Sequence, residues 1–243
     1  MSILRVVNVS KRFGGLQALK DVSLNIDEGE IVGLIGPNGS GKTTLFNVIA
    51  GFYKPESGKV FFLKEDITKL KANKICRMGI ARTFQLPKPF PNLSVLDNVV
   101  SGSLFGAGLK FTEARAHAEK CLKLLGIDEF SNEPVKNLTG QTVKLVEIAR
   151  ALATKPRLLL LDEIMAGLTT EEIRFLLGIL KDEVNKKLGI TILWIEHVLS
   201  AIIKNVDRIV VLNYGQKIAE GKPSEVANDR RVVEAYIGES MKE

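Results

Sequence analysis

Ile31-Val-Gly-Leu-Ile35 leads into Gly36-Pro37-Asn38-Gly39-Ser40-Gly41-Lys42-Thr43-Thr44, and that into Leu45-Phe-Asn-Val-Ile49-Ala50; this stretch decides the fold. Its first part is a continuous apolar run, as in a strand buried on both faces. Its last part places Leu45, Phe46, Val48 and Ile49 at helical spacing, and Gly51 closes that helix. The middle fits G-x-x-x-x-G-K-[ST], the P-loop pattern, between the strand and the helix that the pattern requires. Glycines remove Cβ atoms, so backbone N–H groups can turn inward around phosphate oxygens, and the helix N-terminus adds partial positive charge. Lys42 is expected to reach the β- and γ-phosphates of a nucleotide. Thr43 offers a hydroxyl to Mg²⁺, and Thr44 supports the α-phosphate side.

Outward from this stretch the core continues on both sides. Val22–Ile26 alternates apolar and polar residues, Asp27–Glu30 turns, and Lys59–Leu63 reads as another strand. From about Gln85 to Thr154 the character changes. Pro87, Pro89 and Pro91 force an extended segment, and Ser94-x-x-Asp97 forms a capping box. Thr112–Leu125 and Lys144–Leu152 carry helical periodicity. Leu158–Leu161 is a buried strand ending in Asp162-Glu163, Glu171–Lys187 a long amphipathic helix, and Ile190–Ile195 a strand ending in Glu196-His197. Asp207–Leu212 and Gln216–Ala219 make a hairpin around Tyr214-Gly215. Strands alternating with helices predict an α/β fold with a mostly parallel sheet covered on both faces.

Composition bounds the function. The chain has 243 residues with 45% apolar and 26% charged, which excludes disorder, collagen and coiled coil. Its net charge of +6 is spread along the chain and argues for no nucleic-acid partner. Cys76 and Cys121 lie in no C-x-x-C, so neither a disulfide framework nor a zinc site is indicated. No apolar run approaches the roughly 18–20 residues that span a bilayer, and no signal-peptide core is read at the N-terminus. These features predict a cytoplasmic chain that reaches a membrane only through partners. A guanine reader Asn-Lys-x-Asp is missing: Asn73-Lys74 and Asn185-Lys186 are not followed by Asp two residues on.

The strand end Asp162-Glu163 lies at the sheet edge where open α/β folds bind ligands. Asp162 is expected to hold Mg²⁺, and Glu163 to polarise the attacking water. His197, at the same edge, is placed to contact the γ-phosphate. Gln85 is placed to bind Mg²⁺ or the water and to sense the γ-phosphate. Phe13, before Gly14-Gly15, offers a face for stacking adenine, with plain core packing as its alternative.

Taken together, Phe13, the loop Gly36–Thr43, Gln85, Asp162-Glu163 and His197 make the chain resemble, over essentially its full length, the ATP-binding subunits of ABC transporters. Arg82-Thr-Phe-Gln-Leu-Pro-Lys-Pro-Phe-Pro-Asn-Leu-Ser-Val-Leu-Asp-Asn98, Ile195-Glu-His197 and Val233-Glu-Ala-Tyr-Ile-Gly238 look like the branched-chain amino-acid importers within that family. Urea importers and lipopolysaccharide-export ATPases are close relatives, and a soluble ATPase or a nucleotide-dependent regulator with weak hydrolysis also stays open. The resemblance implies one ATP-binding domain over 1–243. It has a P-loop NTPase core at 1–85 and 155–243 that includes an antiparallel β subdomain, and a helical lobe at about 86–154. It also implies a second ATPase subunit, identical or different, and transmembrane permease subunits that hold the chain to the cytoplasmic face. Two such subunits sandwich two ATP molecules head to tail, each P-loop facing the other's signature loop. The proline-interrupted segment is expected to meet a permease, with Phe90 as a contact.

The signature is where the pattern breaks. The family reads Leu-Ser-Gly-Gly-Gln, whereas this chain has Leu138-Thr139-Gly140-Gln141-Thr142. Thr139 keeps a hydroxyl, and Gln141 adds a side chain where backbone approaches phosphate; a one-residue slip with Gly140-Gln141 as the pair is the alternative. Thr139, Gly140 and Gln141 are still expected to meet nucleotide. Ile164 stands where a proline usually follows the glutamate, and Thr169 where Asp or Asn ends the following loop. The residues that grip this chain's own ATP are intact, while those that complete a partner's site are altered. That asymmetry predicts slow hydrolysis by a homodimer and one competent site in a heterodimer.

Overall fold

The computed structural model describes residues 1–196 and 199–240, with side chains undescribed at 199–201 and 237–240. In chain order its strands and α-helices are β1 (Ser2–Phe13), β2 (Leu16–Asp27), β3 (Ile31–Ile35), α1 (Lys42–Ile49), β4 (Ser57–Phe62), β5 (Glu65–Asp66), α2 (Ala72–Met78), β6 (Ile80–Arg82), α3 (Val95–Phe105), α4 (Phe111–Leu124), α5 (Gly140–Ala153), β7 (Leu158–Asp162), α6 (Thr170–Gly178), β8 (Thr191–Ile195), α7 (Leu199–Asn205), β9 (Arg208–Asn213), β10 (Gln216–Gly221), α8 (Pro223–Val226) and α9 (Arg230–Ser240). They form two compact units: Met1–Ala72 with the chain from Thr191 onward, and Asn73–Ile190.

The first unit holds two sheets. In one, β1 pairs antiparallel with β2 and β4, and β4 with β5. One face buries Leu4, Val6, Leu24, Ile26, Val60 and Phe62, while Arg5, Asn25 and Lys59 point outward. In the other, β3 lies between β8 and β9, parallel to both, and β10 returns antiparallel on β9. Every residue of β3 and of β8 is buried, as the unbroken apolar runs require. The β9–β10 hairpin turns on Tyr214 and Gly215, both at positive φ, which is the two-residue turn whose twist matches a hairpin. Helix α1 buries Leu45, Phe46, Val48 and Ile49 and packs on β2. Each such side chain contributes about 1.5–3 kcal/mol through burial. Ala50 caps α1, and Gly51 beyond it has φ 77°, the left-handed stop expected there.

The second unit pairs β6 parallel with β7, whose five residues are all buried. Helices α3, α4 and α5 pack on one another. Ala114, Ala118, Cys121, Leu122 and Leu125 form the buried stripe that the periodicity indicated. Burial pushes the Cys121 thiol up to about 11 and raises that of Cys76 as well, so both favour the protonated thiol.

The long helix expected over Glu171–Lys187 is only half regular. Past Gly178 the chain continues with the wider π-type winding over Ile179–Lys187, closed by Leu188 N–H donating to the Glu183 carbonyl. Gly178, a weak helix former, sits at the junction. Strands β1, β5 and β6 and helices α2, α7, α8 and α9 add to what the sequence pattern indicated. In β1 the apolar alternation is broken at Asn8, which has φ 48° and lies where the pairing with β2 shifts register.

Candidate functional site

In the first unit the phosphate loop is shaped by backbone approach. Gly36 sits under the carbonyl of Leu212, and a Cβ there would lie 2.0 Å from that oxygen. Gly41, at φ 103°, faces the carbonyl of Ala18, which a Cβ would meet at 2.5 Å. The loop is tied down by Gly215 N–H donating to the Ser40 carbonyl (3.0 Å), and Lys20 N–H donates in turn to the Gly215 carbonyl (2.8 Å). Helix α1 starts immediately, with Leu45 N–H bonded to the Gly41 carbonyl at 2.9 Å.

Lys42 is 5% exposed, and its Nζ donates to the carbonyls of Gly36 (2.7 Å) and Pro37 (2.9 Å), so the ammonium sits within the loop's own turn. Ser40 Oγ is buried and has no hydrogen-bond partner among the described residues. A buried hydroxyl in a glycine turn at a helix N-terminus fits a phosphate oxygen. Asn38, Gly39 and Thr43 are exposed, Thr44 is half-buried, and Pro37 is buried. On the loop's other side a cavity of about 590 Å³ is lined by Pro37, Asn38, Tyr214, Ile218, Arg231 and Glu234 among others.

Phe13 ends β1 with 42% of its surface exposed, so core packing does not account for it. Tyr53 packs its ring edge-on at 5.1 Å, and Lys11 Nζ lies 5.3 Å from the ring centre. That leaves an aromatic face available for stacking.

In the second unit, β7 delivers Asp162 at its last position. The carboxylate is buried and ion-paired with the buried Arg82 (Nη2–Oδ2 2.8 Å), while Asp162 N–H donates to Thr83 Oγ1 at 3.1 Å. Glu163 follows at φ 51°, a left-handed conformation that non-glycine residues rarely take. Held strain of this kind gathers at functional positions. Gln85 Nε2 donates to Glu163 Oε2 at 2.6 Å, so the structure brings together two residues that the sequence keeps far apart. Asp, Gln and Thr supply hard oxygen donors of the type Mg²⁺ takes. No group of three or more His, Cys, Asp or Glu among the described residues could hold a metal. His197 lies outside the described residues.

The altered signature forms the start of α5. Thr139 caps it, its Oγ1 accepting from Thr142 N–H at 3.3 Å and lying 3.0 Å from Thr142 Oγ1. Gly140 opens the helix with open space where a Cβ would stand. Gln141 Nε2 donates to the Gly167 carbonyl at 3.0 Å, and Lys144 Nζ donates to that of Ala166. Thr169, the other departure, caps α6 in a full capping box with Glu172. Ile164 is buried.

Several residues escaped the sequence reading. Arg82, Thr83, Asn98, Lys144 and Arg150 all hold site segments. Asn98 is fully buried in α3 and clamps the proline segment, accepting from Phe90 N–H (2.8 Å) and donating to the carbonyls of Phe90 (3.0 Å) and Ser94 (2.9 Å). It presents Phe90 to solvent at 51% exposure. The available signal was a polar residue inside an apolar helical stripe, such as Asn98 beside Val99-Val100 or Glu147 between Val146 and Ile148.

Comparison with known proteins follows the same lines. The profile of the ABC transporter family matches residues 19–166, and that of the branched-chain amino acid ATP-binding cassette transporter matches residues 216–241. The chain is 39% identical to a probable branched-chain amino acid transport ATP-binding protein of Archaeoglobus fulgidus, over 98% of this chain and 96% of that protein. It is 36% identical to the high-affinity branched-chain amino acid transport ATP-binding protein BraF of Pseudomonas aeruginosa, covering 98% of each. Among solved structures, the ADP conformation of an ATP-binding cassette of an ABC transporter superposes with TM-score 0.87 at 37% identity, covering 98% of this chain and 99% of that one. A dimeric post-hydrolysis cassette bound to ADP and phosphate superposes with TM-score 0.82 at 31% identity, covering 90% and 98%.

Proposed function

The chain belongs to the ABC transporter ATP-binding family, and from that premise we propose that it binds and hydrolyses ATP to power the import of branched-chain amino acids. The observation that carries ATP use is the loop at Gly36–Thr44, with Lys42 at its centre and the buried Ser40 hydroxyl beside it. Likeness to branched-chain transport subunits over nearly the whole chain, including residues 216–241, supports the cargo.

Each residue then has a chemical task. Backbone N–H groups of Gly39, Gly41 and Lys42 receive the phosphates, and the Lys42 ammonium offsets their charge. Thr44 supports the α-phosphate, and Phe13 stacks adenine. Thr43, Gln85 and Asp162 would hold Mg²⁺, which when bound spreads the charge of the β- and γ-phosphate oxygens. Glu163 takes a proton from water as its oxygen bonds to the γ-phosphorus. The bond from that phosphorus to the β–γ bridging oxygen breaks, releasing ADP and phosphate. Gln85 orients Glu163 and the water, and His197 contacts the γ-phosphate.

The active form is a pair of cassettes in which Thr139, Gly140 and Gln141 face the partner's nucleotide. Permease subunits engage the segment that exposes Phe90 and hold the chain at the cytoplasmic face; among the described residues no helix is long and apolar enough to cross a membrane. In functional terms the nucleotide core runs over 1–85 and 155–243, and the permease-facing lobe over about 86–154. The test is phosphate release by the chain alone and with its second subunit and permeases. Turnover that rises on assembly and again with amino-acid-loaded binding protein supports the reading. Full turnover by the isolated chain refutes the division of labour, and no nucleotide binding refutes the function.

A further inference from the structure

Phe13 and Tyr53 stand on opposite sides of the phosphate loop in the sequence, yet their rings meet edge-to-face, 5.1 Å between centres and 72° between planes. Both stay open to solvent, at 42% and 38% exposure, so neither ring is a core residue. Tyr53 is placed by the way α1 ends. Gly51 turns the chain back at φ 77°, and the N–H groups of Phe52 (2.9 Å) and Tyr53 (3.0 Å) both donate to the Asn47 carbonyl. The Asn47 side chain reaches the other way along the helix, where its Nδ2 donates to the Thr43 carbonyl at 2.8 Å. The segment then runs back along the end of β1. Glu56 N–H donates to the Ser10 carbonyl (2.9 Å), and Arg12 N–H donates to Glu56 Oε1 (3.0 Å). Lys11 Nζ lies 4.0 Å from that oxygen and 5.3 Å from the centre of the Phe13 ring. Residues 51–56 thus join the helix that starts at Lys42 to the strand end that carries Phe13.

We propose that Tyr53 is a positioning residue for ATP binding: its ring sets the tilt of Phe13, and because the end of α1 carries Tyr53, the adenine platform is held in register with the phosphate loop. Phe13 takes the last paired position of β1, before the Gly14–Gly15 turn, and both glycines face open space. The turn therefore gives the ring nothing to lean on, and its ring contacts come from Tyr53 and Lys11. A ring free to rotate stacks adenine in only some of its orientations, so fixing the right one beforehand lowers the cost of binding. An aromatic edge gives its neighbour a preferred tilt, which an aliphatic side chain of similar bulk lacks. Base and triphosphate are two ends of one ligand, so a platform tied to α1 grips the first where the second is already held. Tyr53 acts through Phe13, and the part of the ligand it serves is the purine.

This rests on the reading of Phe13 as the adenine platform, and the test separates the two. Affinities for Mg-ATP and for magnesium tripolyphosphate, which lacks the base, are measured by calorimetry on the full chain. The proteins compared are the wild type, Tyr53→Leu, Tyr53→Phe, Phe13→Leu and the Tyr53→Leu/Phe13→Leu double variant. Tyr53→Leu is expected to weaken ATP about 3–10-fold while tripolyphosphate stays within about two-fold, and Tyr53→Phe, which keeps the ring, to recover most of that loss. Phe13→Leu should weaken ATP at least as much, and the double variant no further than Phe13→Leu alone, as for residues acting as one unit. Unchanged ATP affinity in Tyr53→Leu, equal losses for ATP and tripolyphosphate, or additive losses in the double variant would overturn the proposal, while a loss in Phe13→Leu would keep the stacking reading. Wild-type ATP affinity in Phe13→Leu would instead defeat the stacking reading, and the proposal with it. If Tyr53→Leu does not fold, the ring protons of the wild-type chain decide by NMR. ATP should shift those of both Tyr53 and Phe13 and tripolyphosphate should leave them in place; equal shifts with the two ligands, or no shift at Tyr53, overturns the proposal.

Discussion

The phosphate loop and the signature turn are built by different means. The loop at Gly36–Thr44 depends on the absence of side chains: two carbonyls, from Leu212 and Ala18, occupy the space where Cβ atoms of Gly36 and Gly41 would stand. No other residue type fits at those two positions, which are both glycines of the sequence pattern. The turn at Leu138–Thr142 depends on what side chains can do. Thr139 caps α5 through its hydroxyl, and Thr169 caps α6. A serine, aspartate or asparagine supplies the same acceptor. Such a turn keeps its local frame while its sequence drifts. What the departure at Gln141 adds is a tie to the Gly167 carbonyl; beside it Lys144 donates to that of Ala166, and the two hold the loop after Glu163 to the start of α5.

The largest expected effect falls on chemistry. Glu163→Gln should retain ATP affinity and lower turnover by about 10²–10⁴-fold, read by nucleotide titration and phosphate release; a smaller loss would remove Glu163 as base. Next comes the buried pair behind it. Arg82→Ala leaves the Asp162 carboxylate without its guanidinium and should cost about 3–5 kcal/mol in denaturant unfolding. A cost near zero would mean that the pair is not held as described.

The contrast between loop and turn is sharpened by restoring the family residues. Thr139→Ser with Gln141→Gly should raise hydrolysis several-fold at the site the turn completes and leave ATP affinity at this chain's own loop unchanged. No rise would show that the departures are tolerated in full. The smallest effect concerns pH. Burial raises the Glu147 pKa, so the folded chain binds a proton there more readily than the unfolded chain. That contribution is fully present below the unfolded pKa and is lost as pH rises through the folded one. The Tm of the wild-type chain relative to Glu147→Gln should therefore increase as pH falls through that window. A pH-independent difference would mean the carboxylate is not desolvated.

Much of the fold was legible because burial imposes pattern. Ile31–Ile35, Leu158–Leu161 and Ile192–Ile195 are unbroken apolar runs, and each lies in a fully buried strand. β1 was not, because a bulge at Asn8 resets its alternation, and the π-wound half of the helix after Gly178 was not, because its side-chain pattern still reads as helical. Within the site, spacing marked Gln85, Asp162 and Glu163 as chemistry but said nothing of what Arg82 and Arg150 hold. Those act on backbone atoms and on buried charges, and a sequence pattern records neither.

The most direct test of the account is Mg-ATP titrated by calorimetry into the wild-type chain and into Lys42→Ala. The wild-type chain should bind one nucleotide per chain, and Lys42→Ala should lose that binding while unfolding at nearly the same temperature. Equal affinity in the two proteins would contradict a phosphate site centred on this loop.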